Sequence, residues 1–359
     1  MNSLKTATFV TAIVTAIVAL QFIVAAPPAW AQQAHVDSVA SSGAAETTPV
    51  TWDTFVRAES DKYFKSYVDL GALGKFFNVR NPTPVDHQTV IRMNRDTLYS
   101  LAVFDLTTPV TITKPDSAGR FQSLQVINQD EYTPMVVYEP GKYTLTQAEV
   151  GTRYVIVLIR TFVNAADPED IKKANALQDQ MKVEQASVGE FEVPNWDQKS
   201  QDRLRDAINV LAATMKDFDQ SFGPKAVVDP IAHLLGAASG WGGNPAKDAM
   251  YLNVTPENND GKTAYTVTAK DVPVDGFWSV SLYNGKGFFQ KNPYNAYSIN
   301  NITGEKAKDG SITIHFGGDP KQSNYLPIMD GWNYIVRLYQ PHKEVLDGTW
   351  KFPAAQVVK

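Results

Sequence analysis

Three polar clusters carry the side chains best suited to chemistry. The first is Arg92-Met93-Asn94-Arg95-Asp96-Thr97-Leu98-Tyr99-Ser100. The planar fork of Arg92 or Arg95 could hold a carboxylate or phosphate. Asp96 could orient that arginine or act as a base, with Tyr99 nearby. The competing reading is an internal ion pair that fixes a sheet corner, since structural networks gather charge as readily as active sites do. The second cluster is Asn128-Gln129-Asp130-Glu131-Tyr132. Acids at a strand end could supply an acid and a base. Strand neighbours point to opposite faces, so Asp130 would share a face with Tyr132 rather than with Glu131. The plainer reading is a solvated loop. The third cluster is aromatic and amide-rich: Phe277-Trp278-Ser279-Val280-Ser281-Leu282-Tyr283, Phe288-Phe289 and Asn292-Pro293-Tyr294-Asn295-Ala296-Tyr297. Such planes suit a sugar or an apolar ring, and they equally suit a sandwich core. Asp96 and Asp130 are thus the candidate catalytic residues. Arg92, Arg95, Tyr99, Tyr132, Trp278, Tyr283 and Asn292 are the candidate ligand contacts.

The familiar catalytic motifs are absent. There is no G-x-S-x-G; in Gly236-Ala237-Ala238-Ser239-Gly240 the serine stands one place too late for a nucleophile elbow. No phosphate loop, dinucleotide fingerprint or H-E-x-x-H occurs. The five histidines, His35, His87, His233, His315 and His342, nowhere have the close spacing of a common zinc site. No metal site is expected, and the cofactor is left open. Without cysteine the chain has no disulfide, thiol nucleophile or cysteine-ligated metal.

These clusters need a frame. Residues 1–31 read as a cleavable export signal. Lys5 precedes an apolar and threonine stretch from Phe9 to Leu20, and Ala29-Trp30-Ala31 places the cut before Gln32. The chain is expected to be periplasmic or extracellular, with no stable membrane anchor after cleavage. Residues 32–50 hold few large apolar groups and read as a flexible lead-in. Cleavage removes one lysine and no acid, leaving 32 basic and 38 acidic residues and a formal charge of −6. That balance gives no electrostatic reason to bind nucleic acid or anionic lipid.

The folded part opens with a helix carrying Trp52, Phe55, Val56, Glu59, Tyr63 and Tyr67. Strands follow at Phe121–Ile127, Met135–Tyr138 and Arg153–Arg160, separated by turn residues, as in a sandwich or jelly roll. Asp167-Pro168 caps a second helix. A third carries Leu204, Ile208, Leu211, Met215 and Phe218 up to Gly223-Pro224. Strands return at Tyr265–Ala269, Phe277–Tyr283, Ser311–Phe316 and Tyr334–Tyr339, with hairpin-type turns at 258–261 and 308–310. The expected fold is mainly β with a helical connector: an N-terminal domain over 51–165, a connector over 166–240 and a C-terminal domain over 241–359, both domains sandwich or jelly-roll-like.

The polar clusters also carry a family resemblance. Asn94-Arg95-Asp96-Thr97-Leu98-Tyr99-Ser100, Phe104-Asp105-Leu106 and Gln125-Val126-Ile127-Asn128 resemble the signature of the domain of unknown function numbered 1254. Gly276 to Tyr283, Asn292 to Ile299 and Asp347-Gly348-Thr349-Trp350 resemble its companion numbered 1214. The resemblance implies two jelly-roll-type sandwiches joined by helices, often exported and often oligomeric. It implies no reaction and transfers no catalytic residue. Three functions follow as expectations: binding of a small organic or carbohydrate ligand, a hydrolase or lyase built on Asp96 or Asp130 with Arg92 or Arg95, and an assembly role as a homo-oligomer.

Overall fold

The computed structural model describes residues 46–88 and 91–358. The leader at 1–31, His35 and most of the lead-in lie outside the described residues.

The N-terminal half is two sheets around one core. The larger sheet contains β1 (Phe77–Asn78), β2 (Thr97–Asp105), β4 (Gln122–Asn128), β5 (Met135–Val137) and β7 (Tyr154–Phe162). Their order is β1-β2-β7-β4-β5, with every neighbour antiparallel. The smaller sheet has the order β6-β3-β8, from β3 (Val110–Lys114), β6 (Gly141–Leu145) and β8 (Lys182–Gln185). Alternation decides what each face buries. Val155, Val157 and Ile159 of β7 point with Ala102, Phe104, Leu124 and Val126 toward Val110 and Ile112 of the small sheet. Tyr154, Ile156 and Leu158 point the other way and meet Phe64.

Helices cover that second face. α1 (Phe55–Asp69) lies on the sheet, α4 (Gln198–Ala212) and α5 (Pro230–Gly240) pack against α1, and α3 (Pro168–Gln178) sits at the β2 end. Phe55 and Ala58 of α1 join Ile208 of α4 in one buried cluster. Asp167 caps α3 by accepting the Glu169 N–H, with Pro168 following, as its sequence predicts. One-turn helices α2 (Gln147–Val150) and α6 (Lys343–Leu346) complete the set. The stretch between the sandwiches is not purely helical. Residues 182–185 form an edge strand whose alternate exposure, with Val183 inward, is too short a signal to stand out in sequence. The predicted third helix stops at Ala212 rather than continuing to Phe218, leaving Leu211 exposed. α5, capped by Asp229 ahead of Pro230, was not anticipated.

The C-terminal half is a second sandwich. One sheet runs β12-β11-β15-β9, from β9 (Ala249–Val254), β11 (Trp278–Tyr283), β12 (Ser298–Asn300) and β15 (Asn333–Tyr339). The other runs β14-β13-β10-β16, from β10 (Tyr265–Ala269), β13 (Ile312–Phe316), β14 (Tyr325–Leu326) and β16 (Gln356–Val357). Trp278, Val280, Leu282, Trp332, Tyr334 and Val336 fill the space between them. The turns at 258–261 and 308–310 form, but not as hairpins. β9 and β10, like β12 and β13, belong to different sheets, so each turn carries the chain from one sheet to the other. Gly261 makes the first crossing at φ +70°, where a Cβ would lie 2.6 Å from the Asp330 nitrogen.

Candidate functional site

The β12-β11-β15-β9 sheet has an unusual second face. Opposite its core-facing residues lie Ser279, Ser281 and Tyr283 of β11, Arg337 and Tyr339 of β15, and Ser298 and Asn300 of β12. All but the half-buried Ser298 are buried. They are covered by residues 92–96 of the N-terminal half. Arg337 is only 3% exposed. Its guanidinium donates to Ser281 Oγ and Tyr283 Oη, both at 2.8 Å, and to the Arg92 carbonyl at 2.9 Å. Tyr283 in turn donates to the Met93 carbonyl at 2.7 Å. Asn94 Nδ2 donates to Tyr339 Oη at 2.9 Å. Asp96 Oδ1 accepts from Ser298 Oγ at 2.9 Å and Asn300 Nδ2 at 3.2 Å. Its other oxygen is buried without a partner among the described residues.

The first cluster is therefore a seam between the sandwiches. Among the described residues no carboxylate stands within ion-pair distance of Arg337. Burial works against its charge, but the Tyr283 and Tyr339 phenols and Asp96 outweigh burial and hold its pKa above the usual guanidinium value. Burial lowers Arg92 and Arg95. Arg92 sits at φ +56° with its guanidinium 5.9 Å from the Tyr283 ring. Arg95 lies 5.0 Å from the Tyr297 ring and donates to the Thr83 carbonyl. Three predicted residues, Arg92, Asp96 and Tyr283, thus gather around Arg337, which the sequence did not single out, while Arg95 is turned to Tyr297 and Thr83.

Asp130 lies elsewhere. Thr97, beside Asp96, pairs with Phe162 of β7, whereas Asn128, two residues before Asp130, pairs with Val155. Seven residues of β7 separate those points, about 23 Å at ~3.3 Å per residue. Asp130 forms an ion pair with Arg57 at 2.5 Å, and its carbonyl accepts from His233 Nε2 at 2.8 Å. Tyr132 stacks on the His233 ring with centroids 4.6 Å apart. The segment is not a solvated loop. Glu131 is 1% exposed, with its backbone at φ +61°, and accepts the Gly242 N–H. Burial pushes its carboxyl well above the ordinary 4.5.

The remaining predicted residues fall in three further places. Tyr99 faces Arg160, whose guanidinium lies 5.8 Å from its ring. Trp278 is 4% exposed inside the C-terminal core and meets Phe352 edge-on at 5.7 Å. Asn292 ties its own turn, accepting from the Tyr294 and Ala296 N–H groups and donating to the Ala296 carbonyl. None of these joins Arg337.

A space for a ligand opens in the C-terminal sandwich instead. A pocket of about 420 Å³ lies at the sandwich edge, where β9 and β16 face each other. Leu252, Val254 and Val336 form one wall, Tyr265 and Tyr334 the interior, and the strap at 352–357 the other wall. Tyr265 Oη accepts the Asn258 N–H at 3.0 Å. Burial raises the pKa of Tyr334, and the Ala355 backbone beside its hydroxyl works the other way. These residues carry no motif in sequence; they read as ordinary alternating core. A second depression of about 510 Å³ is centred on the Arg120–Asp170 ion pair, with Lys173, Gln180 and Ile302 at its margins. Among the described residues no group of three histidines or acids could hold a metal ion, and no helix is long and apolar enough to cross a membrane.

Comparison with known proteins places this architecture. Residues 73–147 match the family model described as protein of unknown function (DUF1254), and residues 249–343 match the one described as protein of unknown function (DUF1214). The chain carries both, in that order. The fold is similar to the crystal structure of the VPA0106 protein from Vibrio parahaemolyticus, with a TM-score of 0.64 and 19% identity, over 85% of this chain and 98% of that one. An uncharacterized protein from Burkholderia cenocepacia aligns at 14% identity and a TM-score of 0.47, over 86% of this chain and 87% of that one. No curated protein matches the sequence. The DUF1254 match contains the Arg92–Asp96 segment, and the DUF1214 match contains Arg337 and its partners Ser281 and Tyr283. The seam therefore joins the two family signatures to each other.

Proposed function

We propose that this is an exported protein that binds a small, largely apolar organic molecule in the pocket of its C-terminal sandwich. The pocket is the observation that carries the reading. Its volume of about 420 Å³ lies within the range of small-molecule sites. Its walls are mainly aliphatic and aromatic, with Glu257, Gln356 and the hydroxyls of Tyr265 and Tyr334 as the polar side-chain groups. Such walls favour an apolar ligand over a carbohydrate, whose many hydroxyls would lose hydrogen bonds to water without replacement. The leader at 1–31 supports export. The hydrolase or lyase reading, built on Asp96 or Asp130 with Arg92 or Arg95, has less support, because Asp96 is buried in the seam accepting from Ser298 and Asn300, and Asp130 is paired with Arg57 away from both arginines.

Native mass spectrometry of the protein from its own host's periplasm tests the proposal. The expected chain begins at Gln32 and releases an apolar small molecule on denaturation. The same spectrum reads the oligomeric state, since a homo-oligomer is compatible with the proposal. Leu252→Trp, which fills the pocket, should abolish uptake of apolar dyes. A chain that retains residues 1–31 sinks export, and dye uptake that survives Leu252→Trp sinks the pocket.

A further inference from the structure

We infer that the pocket is built for an uncharged apolar molecule carrying a hydrogen-bond-accepting oxygen, such as a ketone, ester or quinone carbonyl. The inference rests on the small-molecule reading above and narrows it to a ligand class.

Charge comes first. Glu257 is the one charged residue among those lining the pocket, and it is exposed at the rim. No lysine, arginine or histidine lines the space. A carboxylate or phosphate head would leave water to meet no counter-charge and one like charge. Fatty acids and phosphorylated lipids are therefore poor fits.

The phenols supply the rest. Tyr265 and Tyr334 line the interior and are 5% and 1% exposed. A phenol both accepts and donates. Tyr265 already accepts the Asn258 N–H, and the Ala355 backbone lies beside the Tyr334 hydroxyl. Among the described residues neither hydroxyl donates to a protein acceptor. Two buried O–H donors thus remain for whatever occupies the space. Donors favour a lone pair on the ligand and oppose a cationic group, so Glu257 at the rim does not make this a cation site. Aliphatic walls with two inward donors match a hydrocarbon body bearing a carbonyl.

The test uses Nile red, an uncharged dye with a ring carbonyl, and pyrene, which has no acceptor, on the full mature protein. Methyl laurate and laurate compete at neutral pH as a pair of equal chain length. The ester should displace Nile red at a concentration at least about tenfold lower than the acid, since burying an unpaired carboxylate is costly. Tyr265→Phe and Tyr334→Phe should each weaken Nile red about fivefold, the worth of one ordinary hydrogen bond, and leave pyrene unchanged. Equal displacement by laurate, or full Nile red affinity in both phenylalanine variants, overturns the inference. If either variant fails to fold, the ester-to-acid ratio on the unmodified protein still decides. Failure of the underlying reading looks different: neither dye binds the unmodified protein, or both still bind Leu252→Trp.

Discussion

The Arg337 guanidinium donates to the Tyr283 hydroxyl at 2.8 Å, and that hydroxyl donates in turn to the Met93 carbonyl at 2.7 Å. A C-terminal arginine thereby holds N-terminal backbone both directly and through a tyrosine. Arg337→Leu removes the bonds to Ser281, Tyr283 and the Arg92 carbonyl together. It should cost several kcal/mol, about 1–3 kcal/mol for each buried acceptor left without its donor. Tyr283→Phe should cost about 1–3 kcal/mol. The double variant should fall short of the sum by about 0.5–3 kcal/mol, because the two share one network. Urea denaturation of the four proteins measures all three; strict additivity would mean the two residues act separately.

Glu131 gives the pH prediction. Burial raises its folded pKa above the unfolded value of about 4.5. The folded state then holds a proton that the unfolded state releases, so its contribution to stability falls as pH rises above 4.5. Glu131→Gln should remove that slope. The variant should gain on the wild type between pH 4.5 and 7 and show little gain below 4.5. Denaturation midpoints of both proteins across that range decide. The difference between them matters, because it cancels the slope of other groups that titrate in that range, such as Asp61, whose carboxyl pKa burial also raises.

Asp96 and Asp130 should behave unlike each other. Asp96 is buried and accepts two hydrogen bonds across the seam. Asp96→Ala should cost about 1–3 kcal/mol for the donors it strands. Asp130 and Arg57 are 41% and 37% exposed, so Asp130→Ala should cost under about 1 kcal/mol. About 23 Å apart along β7, the two losses should add to within about 0.5 kcal/mol. Thermal melts of the single and double variants test this; marked non-additivity would tie them into one site.

Trp278→Ala should lower stability by about 3–5 kcal/mol through the cavity it leaves in the C-terminal core. Folded, stable Trp278→Ala protein with only ligand binding lost would show that Trp278 is a contact rather than core.

The strands rich in β-branched and aromatic residues were legible in sequence: β4, β7, β10, β11, β13 and β15 fall within a residue or two of their expected places. β8, β14 and β16 span two to four residues, too short for a period to register. The turn at 258–261 was visible from its asparagines and glycine, but not that it crosses between sheets, since that depends on where β9 finds its partner. The site divided in the same way. Arg92, Arg95 and Asp96 stood out by charge. Arg337 did not, because within Asn333–Tyr339 it reads as one outward residue of an amphipathic strand; its partner lies 54 residues earlier, at Tyr283. The pocket was invisible because Leu252, Val254 and Val336 have the types of any core.

The seam's composition bears on how such a protein can be divided. Serine, asparagine, tyrosine and arginine side chains meet water as readily as they meet backbone carbonyls. Apart, the halves would expose wettable side chains along this stretch, but also Phe121, Phe162 and Phe277, which pack together across the same junction, so each half alone would be prone to clumping. The covalent tether then serves mainly to keep each half at high effective concentration near the other. Coexpressed as two polypeptides, they would have a recognition code, written in donors and acceptors, by which to find each other.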